Sequence, residues 1–91
     1  MVPTLSLVIP AYNEEAKIAG DLAALTRYLD GAGPPYELLV VDDGSVDATA
    51  RAAAEFAGGR RNITLLRNEQ NRGKGYSVRR GVMAEIGRAH V

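Results

Sequence analysis

Three short apolar runs, each closed by a turn and followed by residues spaced as on a helix, leave few folds open to this chain. Leu5-Ser6-Leu7-Val8-Ile9 ends at Pro10 and reads as a strand. Beyond it the period changes. Ile18, Leu22, Leu25 and Leu29 recur at spacings of four, three and four, which is one stripe of an amphipathic helix. Asn13 is the expected N-cap, Glu14 and Glu15 fill the first turn, and Gly31 with Gly33-Pro34-Pro35 stops the helix. Tyr36 to Val41 is apolar on both faces, as in a strand buried within a parallel sheet. Asp42-Asp43-Gly44-Ser45 forms a turn, and Ser45 or Asp47 caps an alanine-rich helix that runs to about Ala57 and stops at Gly58-Gly59. Ile63 to Leu66 reads as a third strand, Asn68 to Gly75 as a polar loop, and Gly75 to about Ile86 as a third helix. Strand and helix alternate three times over short connections. Right-handed crossovers then predict an α/β fold, a parallel sheet of three βα units with helices on its faces.

With 91 residues the chain can hold one small domain of modest stability, and no linker or repeat divides it. It has no cysteine, which excludes disulfides and thiolate metal sites. The longest apolar runs, Leu7 to Ile9 and Leu38 to Val41, are far too short to span a bilayer. The first strand begins almost at Met1, so no signal peptide is expected and the expected compartment is cytoplasmic. The net charge is zero but unevenly spread. Residues 1–59 carry three basic and nine acidic side chains, and residues 60–91 carry eight basic and two acidic. Two solvated faces of opposite sign would explain this, as would a basic segment that meets a phosphate or an anionic head group. A duplex nucleic-acid binder is usually basic overall, so no nucleic-acid partner is expected.

Ligands of open parallel sheets bind at the carboxyl ends of the strands, where three unusual segments fall. Pro10-Ala11-Tyr12-Asn13-Glu14-Glu15 has no glycine, which rules out a G-x-G-x-x-G dinucleotide loop. It offers an aromatic ring that can stack on a base and carboxylates that can accept from base or ribose. Equally, Tyr12 can pack in a loop while the glutamates only favour a helix start. Asp42 and Asp43 stand side by side at the end of a buried strand, where mutual repulsion and desolvation demand compensation. A metal, a cation or a ligand's donors can supply it. Alternatively, Asp43 caps the turn and Asp42 accepts backbone N–H groups. Asn71-Arg72-Gly73-Lys74-Gly75 sets glycines around two cations at a helix start, which suits a phosphate or carboxylate but also fits a solvated loop. It is not a Walker loop, since Gly75 follows Lys74 and no glycine lies where that motif needs one. His90 is the only histidine, which leaves a histidine-based triad or metal cluster without support. Asp43-x-Ser45-x-Asp47 lacks the glycine and distal glutamate of a calcium loop. Tyr28, Phe56 and Met83 read as core or surface packing.

Taken in order, LVIPAYNEE, VVDDGSVDAT and NRGKGYSVRRG resemble the opening of the inverting glycosyltransferases of family 2 over about residues 5–84. The third motif is most similar to the polyprenyl-phosphate and dolichyl-phosphate sugar transferases, especially the glucosyl branch. The resemblance implies the glycosyltransferase A fold, whose nucleotide-binding sheet is Rossmann-like, here in truncated form. It implies that Pro10, Ala11 and Tyr12 line the nucleobase pocket, with Tyr12 against the base and Glu14 near base or ribose. It further implies that Asp42 hydrogen-bonds the base, that Asp43 lies near the ribose, and that Arg72, Gly73 and Lys74 lie toward ribose or diphosphate. Its implied partners are a UDP- or GDP-sugar donor and a polyprenyl-phosphate or other acceptor at the cytosolic membrane face.

The resemblance also implies a divalent metal, Mg or Mn, held by an Asp-x-Asp motif beyond a fourth strand, and a general base later still. Neither motif is in these residues, so no catalytic or metal-ligating residue is expected here, and the chain alone is expected to be inactive. Glu85 to Val91 reads like a translated sequencing adapter. Residues 1–84 are therefore expected to be the N-terminal part of a glycosyltransferase domain, and residues 85–91 a non-native tail. Without a further strand beside it, Leu5 to Ile9 is expected to be an exposed apolar edge. Two other readings compete. One is a nucleotide-binding module without catalysis. The other is a receiver-like signalling domain, disfavoured because the acidic pair follows the second strand rather than the first.

Overall fold

The computed structural model describes residues 5–89, with side-chain surroundings as far as residue 85. The six expected elements are present in the expected order. They are β1 (Leu5–Ala11), α1 (Ile18–Ala32), β2 (Tyr36–Asp42), α2 (Thr49–Ala57), β3 (Ile63–Arg67) and α3 (Lys74–Ala89). The strands form one parallel sheet in the order β1-β2-β3, with Ala11 beside Asp42 and Asp42 beside Arg67. Every residue of β2 is buried, as its two-sided apolar sequence requires of a central strand.

Alternation along the strands divides the core. Leu7, Ile9 and Ala11 of β1, Leu38 and Val40 of β2, and Ile63 and Leu65 of β3 share one face. Ile18, Leu22, Leu25 and Leu29 of α1 and Ala52, Ala53 and Phe56 of α2 cover it. Two successive right-handed crossovers put both helices on that side. α3 packs on the opposite face, against β1 and β2. Thr26, which the apolar stripe does not predict, is buried in α1 because its hydroxyl donates to the Leu22 carbonyl at 2.9 Å. At the amino end of the sheet, the Tyr36 hydroxyl donates to Asp30 Oδ1 at 2.6 Å and ties the end of α1 to β2. Tyr28 and Met83 are exposed, whereas Phe56 packs on the core with the Arg60 guanidinium 4.8 Å above its ring.

Some boundaries differ from the sequence reading. β1 runs through Pro10, whose missing N–H is tolerated because β1 lies at the sheet edge. That edge is less bare than expected. Leu5 is 45% exposed, but Leu7 to Pro10 are half-buried between the two helical layers. Asn13 does not cap α1, which begins at Ile18. The Glu14 carbonyl accepts the N–H groups of Lys17 and Ile18, and the Asn13 side chain turns elsewhere. At α2 neither Ser45 nor Asp47 is the N-cap, a position that falls to Ala48, although Asp47 one residue earlier accepts the N–H and hydroxyl of Thr49. The residues expected to form a foreign tail begin inside α3, where Glu85 Oε1 accepts from the Ser6 hydroxyl at 3.0 Å. His90 and Val91 lie outside the described residues.

α3 sits close to the sheet because Gly81 faces Val8. A Cβ at Gly81 would lie 2.4 Å from Val8 Cγ1, and a β-branched side chain has little rotamer freedom with which to yield. Gly81→Ala should therefore lower stability by about 1–3 kcal/mol through overpacking, despite a gain of roughly 1 kcal/mol in helix propensity. In a Val8→Ala background the same substitution should be neutral or stabilising. Urea unfolding of the four proteins in this cycle checks the coupling, and equal effects in both backgrounds would remove the contact as the cause.

Candidate nucleotide site

The three polar segments at the carboxyl ends of the strands are bound into one another by hydrogen bonds. The first loop turns at Asn13, whose φ of 48° lies in the left-handed region that asparagine tolerates. Its N–H donates to Ser45 Oγ at 2.9 Å, and its Oδ1 accepts the Val46 N–H at 3.0 Å. Glu14 N–H donates to Thr49 Oγ1 at 2.7 Å, and Glu15 N–H to Asp47 Oδ2 at 3.3 Å. The turn after β2 and the start of α2 thus fix the first loop. The hydroxyl of Thr49, then the N–H groups of Thr49 and Glu15, hold the Asp47 carboxyl below the usual carboxylate range against some desolvation.

Strand alternation resolves the repulsion expected between Asp42 and Asp43 by sending them to opposite sides of the sheet. Asp42 is fully buried and is met by the Ser45 hydroxyl at 2.5 Å, the Ser45 N–H at 3.3 Å and Arg67 Nε at 3.3 Å. The parallel register places Arg67 directly beside it. Asp43 faces the β3–α3 loop. Its Oδ1 accepts from Asn68 Nδ2 and the Arg72 N–H, each at 2.8 Å. Its Oδ2 accepts from Asn71 Nδ2 at 3.0 Å and the Gly73 N–H at 2.8 Å. Four donors fill the lone-pair positions of this carboxylate. Burial pushes its pKa up, but the Arg72 N–H, Asn68, the Gly73 N–H and Ser77 together outweigh burial and hold it below the ordinary value. The compensation demanded by the acidic pair therefore comes from the protein itself, in the form of one cation and a set of N–H and O–H donors.

Gly44 permits this closeness. Its φ is 72°, and a Cβ there would lie 2.4 Å from the Gln70 carbonyl carbon and 2.5 Å from the Asn71 nitrogen. Only a residue without a side chain lets the third loop lie across the second.

The result is a cleft of about 490 Å³. Seven of the expected residues line it, Pro10, Ala11, Tyr12 and Glu14 from the first segment, Asp43 from the second, and Gly73 and Lys74 from the third. Asn71 joins them. Two expected residues do not. Asp42 lies beneath the turn with its carboxylate engaged by Ser45 and Arg67, and Arg72 contributes its side chain to a neighbouring cleft. Tyr12 is 45% exposed, so its ring is open to a ligand, while Glu14 keeps a Lys17 ammonium 3.7 Å from its carboxylate. The supporting roles of Asn13, Ser45 and Asn68 were not legible from sequence, because each depends on a partner more than eight residues away.

Among the described residues no three of His, Cys, Asp and Glu converge to hold a metal ion, and the acidic pair has its oxygens occupied by protein donors. The described residues do not fit a divalent-cation site.

Asp43 makes a pH prediction. Because its folded pKa is depressed, it stabilises the fold above the ordinary carboxylate value of 3.8, and that contribution is lost as pH falls through the lower folded value. Asp43→Asn should cost about 1–3 kcal/mol at neutral pH, since an amide NH₂ then faces N–H donors. The gap between the two proteins should close in acid. Urea unfolding as a function of pH measures this, and a gap independent of pH would exclude the carboxylate as its source.

Residues 6–87 match the profile described as Glycosyl transferase family 2. The dolichyl-phosphate beta-glucosyltransferase of Drosophila melanogaster is 40% identical over 92% of this chain, and that of Dictyostelium discoideum is 35% identical over the same share. The chain spans 28% of the length of each. In three dimensions it is similar to a mannosyltransferase from Pyrobaculum calidifontis in complex with GDP-Man and Mn2+. The TM-score is 0.77 at 25% identity, covering 92% of this chain and 25% of that one. It is also similar to glucosyl-3-phosphoglycerate synthase from Mycobacterium tuberculosis in complex with Mn2+, uridine-diphosphate and glucosyl-3-phosphoglycerate. There the TM-score is 0.69 at 30% identity, covering 90% of this chain and 29% of that one. The family match takes in all three motifs that meet at the cleft, and the chain belongs to glycosyl transferase family 2.

Proposed function

We propose that this chain forms the donor-nucleotide half-site of an inverting glycosyltransferase. The whole protein transfers a sugar from a UDP- or GDP-sugar to a polyprenyl phosphate. The observation that carries this reading is the single cleft into which all three motifs project. Tyr12 offers an open ring face for base stacking, and Glu14 offers acceptor oxygens to base or ribose donors. Lys74 is the first residue of α3, so its ammonium and the helix amino terminus favour the same diphosphate. Asp43 is a positioning residue that holds Gly73 in place through the Gly73 N–H. The names of the relatives support a dolichyl-phosphate acceptor, and the ligands of the two similar structures support a nucleoside diphosphate sugar as donor.

Both similar structures contain Mn2+. A divalent cation used by the whole protein, Mg or Mn, would have to be held by groups other than these, so no step of this reading runs through it. A polyprenyl-phosphate acceptor places the reaction at a membrane, and we assign it to the cytosolic face. No helix of the described residues is long and apolar enough to cross a membrane.

Calorimetric titration of the chain with UDP and GDP tests the half-site. One nucleotide should bind, and Tyr12→Ala and Lys74→Ala should each weaken it roughly tenfold, the size expected for loss of a stacking partner or a phosphate-facing cation. A chain with a folded circular-dichroism spectrum that binds neither nucleotide would count against the proposal. Equal affinity for a nucleotide and its sugar conjugate would favour a non-catalytic nucleotide-binding module.

A further inference from the structure

We propose that a second cleft, on the far side of the β3–α3 loop from the nucleotide cleft, binds the phosphate group of a phosphorylated ligand. Its volume is about 320 Å³, and Arg67, Arg72 and Arg80 line it together with Asn68, Tyr76 and Glu69. Three cations gathered around one small cleft repel each other, and solvent would ordinarily let them spread apart. Here two of them are held. Arg67 Nε lies 3.3 Å from Asp42 Oδ2, and its terminal nitrogen donates to the Ser45 carbonyl at 3.3 Å. Arg80 donates to the Arg67 carbonyl at 2.7 Å and to Asn68 Oδ1 at 2.8 Å. Asn68 is itself buried and fixed, since its Nδ2 donates to Asp43 and Ser77. Each guanidinium carries five donors, so these contacts leave both arginines with donors to spare.

The third is different. The Arg72 guanidinium lies 5.8 Å from the Tyr76 ring centroid, and among the described residues its side chain makes no hydrogen bond or ion pair. Arg67 and Arg80 have hydrogen bonds within the fold, whereas the Arg72 side chain has only its contact with the Tyr76 ring. Glu69 is the one carboxylate lining the cleft, and with the Arg67 charge already paired with Asp42 the positive charge around the cleft still exceeds the negative. That excess matches a phosphate monoester, whose several oxygens can accept from more than one guanidinium fork. Arg72 lies between Asn71 and Gly73, both of which line the nucleotide cleft, so the two clefts share one segment of backbone. The phosphate can belong to a soluble metabolite or to a lipid head group.

NMR of the full chain, following the arginine Nε–Hε signals while inorganic phosphate is added at constant ionic strength, tests this. The signals of Arg67, Arg72 and Arg80 should shift saturably together. Arg72→Gln should weaken the apparent affinity roughly tenfold, as expected on losing one charge-assisted contact. Glu69→Gln, a change at an exposed side chain, should tighten it severalfold. Shifts confined to the Gly73 and Lys74 amides, no saturation, or no effect of Glu69→Gln would overturn the proposal. Vesicles identify the source. Displacement of phosphate by phosphatidylcholine vesicles only when they contain phosphatidic acid supports a lipid head group. Retention of phosphate with both supports a soluble ligand.

Discussion

The carboxylate of Asp43 is the point on which the site depends. The β3–α3 loop has no regular structure of its own and carries polar side chains at every position before Gly73, so on its own it would sample many conformations. Asp43 ends that freedom by accepting two backbone N–H groups and two side-chain amides from it. Charge-assisted hydrogen bonds of this kind are stronger than neutral ones, and here they act in a buried setting. The loop then presents Asn71, Gly73 and Lys74 to one cleft and Arg72 to the other.

Asp43 reaches the loop only because the rest of the β2 turn lets it. Gly44 lies where any side chain would strike the Gln70 and Asn71 backbone. Asp42, one residue back, points to the other side and is neutralised by Arg67 and Ser45. Ser45 in turn accepts the Asn13 N–H, so the first loop is joined to the same turn. Two adjacent carboxylates, costly as a pair, thus become two separate anchors, one for each neighbouring loop. Removing either partner of such an anchor leaves a buried polar group unsatisfied, which costs more than the hydrogen bond itself contributes.

The alternation of elements was legible because their hydrophobic periods are local. Ile18, Leu22, Leu25 and Leu29 trace a helix in any surroundings, and Tyr36 to Val41 can be apolar on both faces only inside a sheet. The site was legible in part. Its three segments follow from the strand ends, and seven of the residues singled out share the cleft. Asn13, by contrast, looked like a helix cap because its sequence neighbours are those of a helix start. Its partner, Val46, is distant in sequence, and that bond overrode the local preference. Asp42 and Arg72 belonged to the right motifs, but motif membership does not say which way a side chain points.

The sequence by itself determined the class of fold, the order of strands and helices, and the positions of the three polar segments, because each rests on periodicity or on residues adjacent in the chain. Tertiary structure decided the rest. It set which helix covers which face, which of two neighbouring aspartates grips the third loop, and which cations line which cleft. Those outcomes depend on sheet register and on hydrogen bonds between residues far apart in the chain, such as Glu14 and Thr49, 35 positions apart. Only the folded backbone brings such groups within bonding distance.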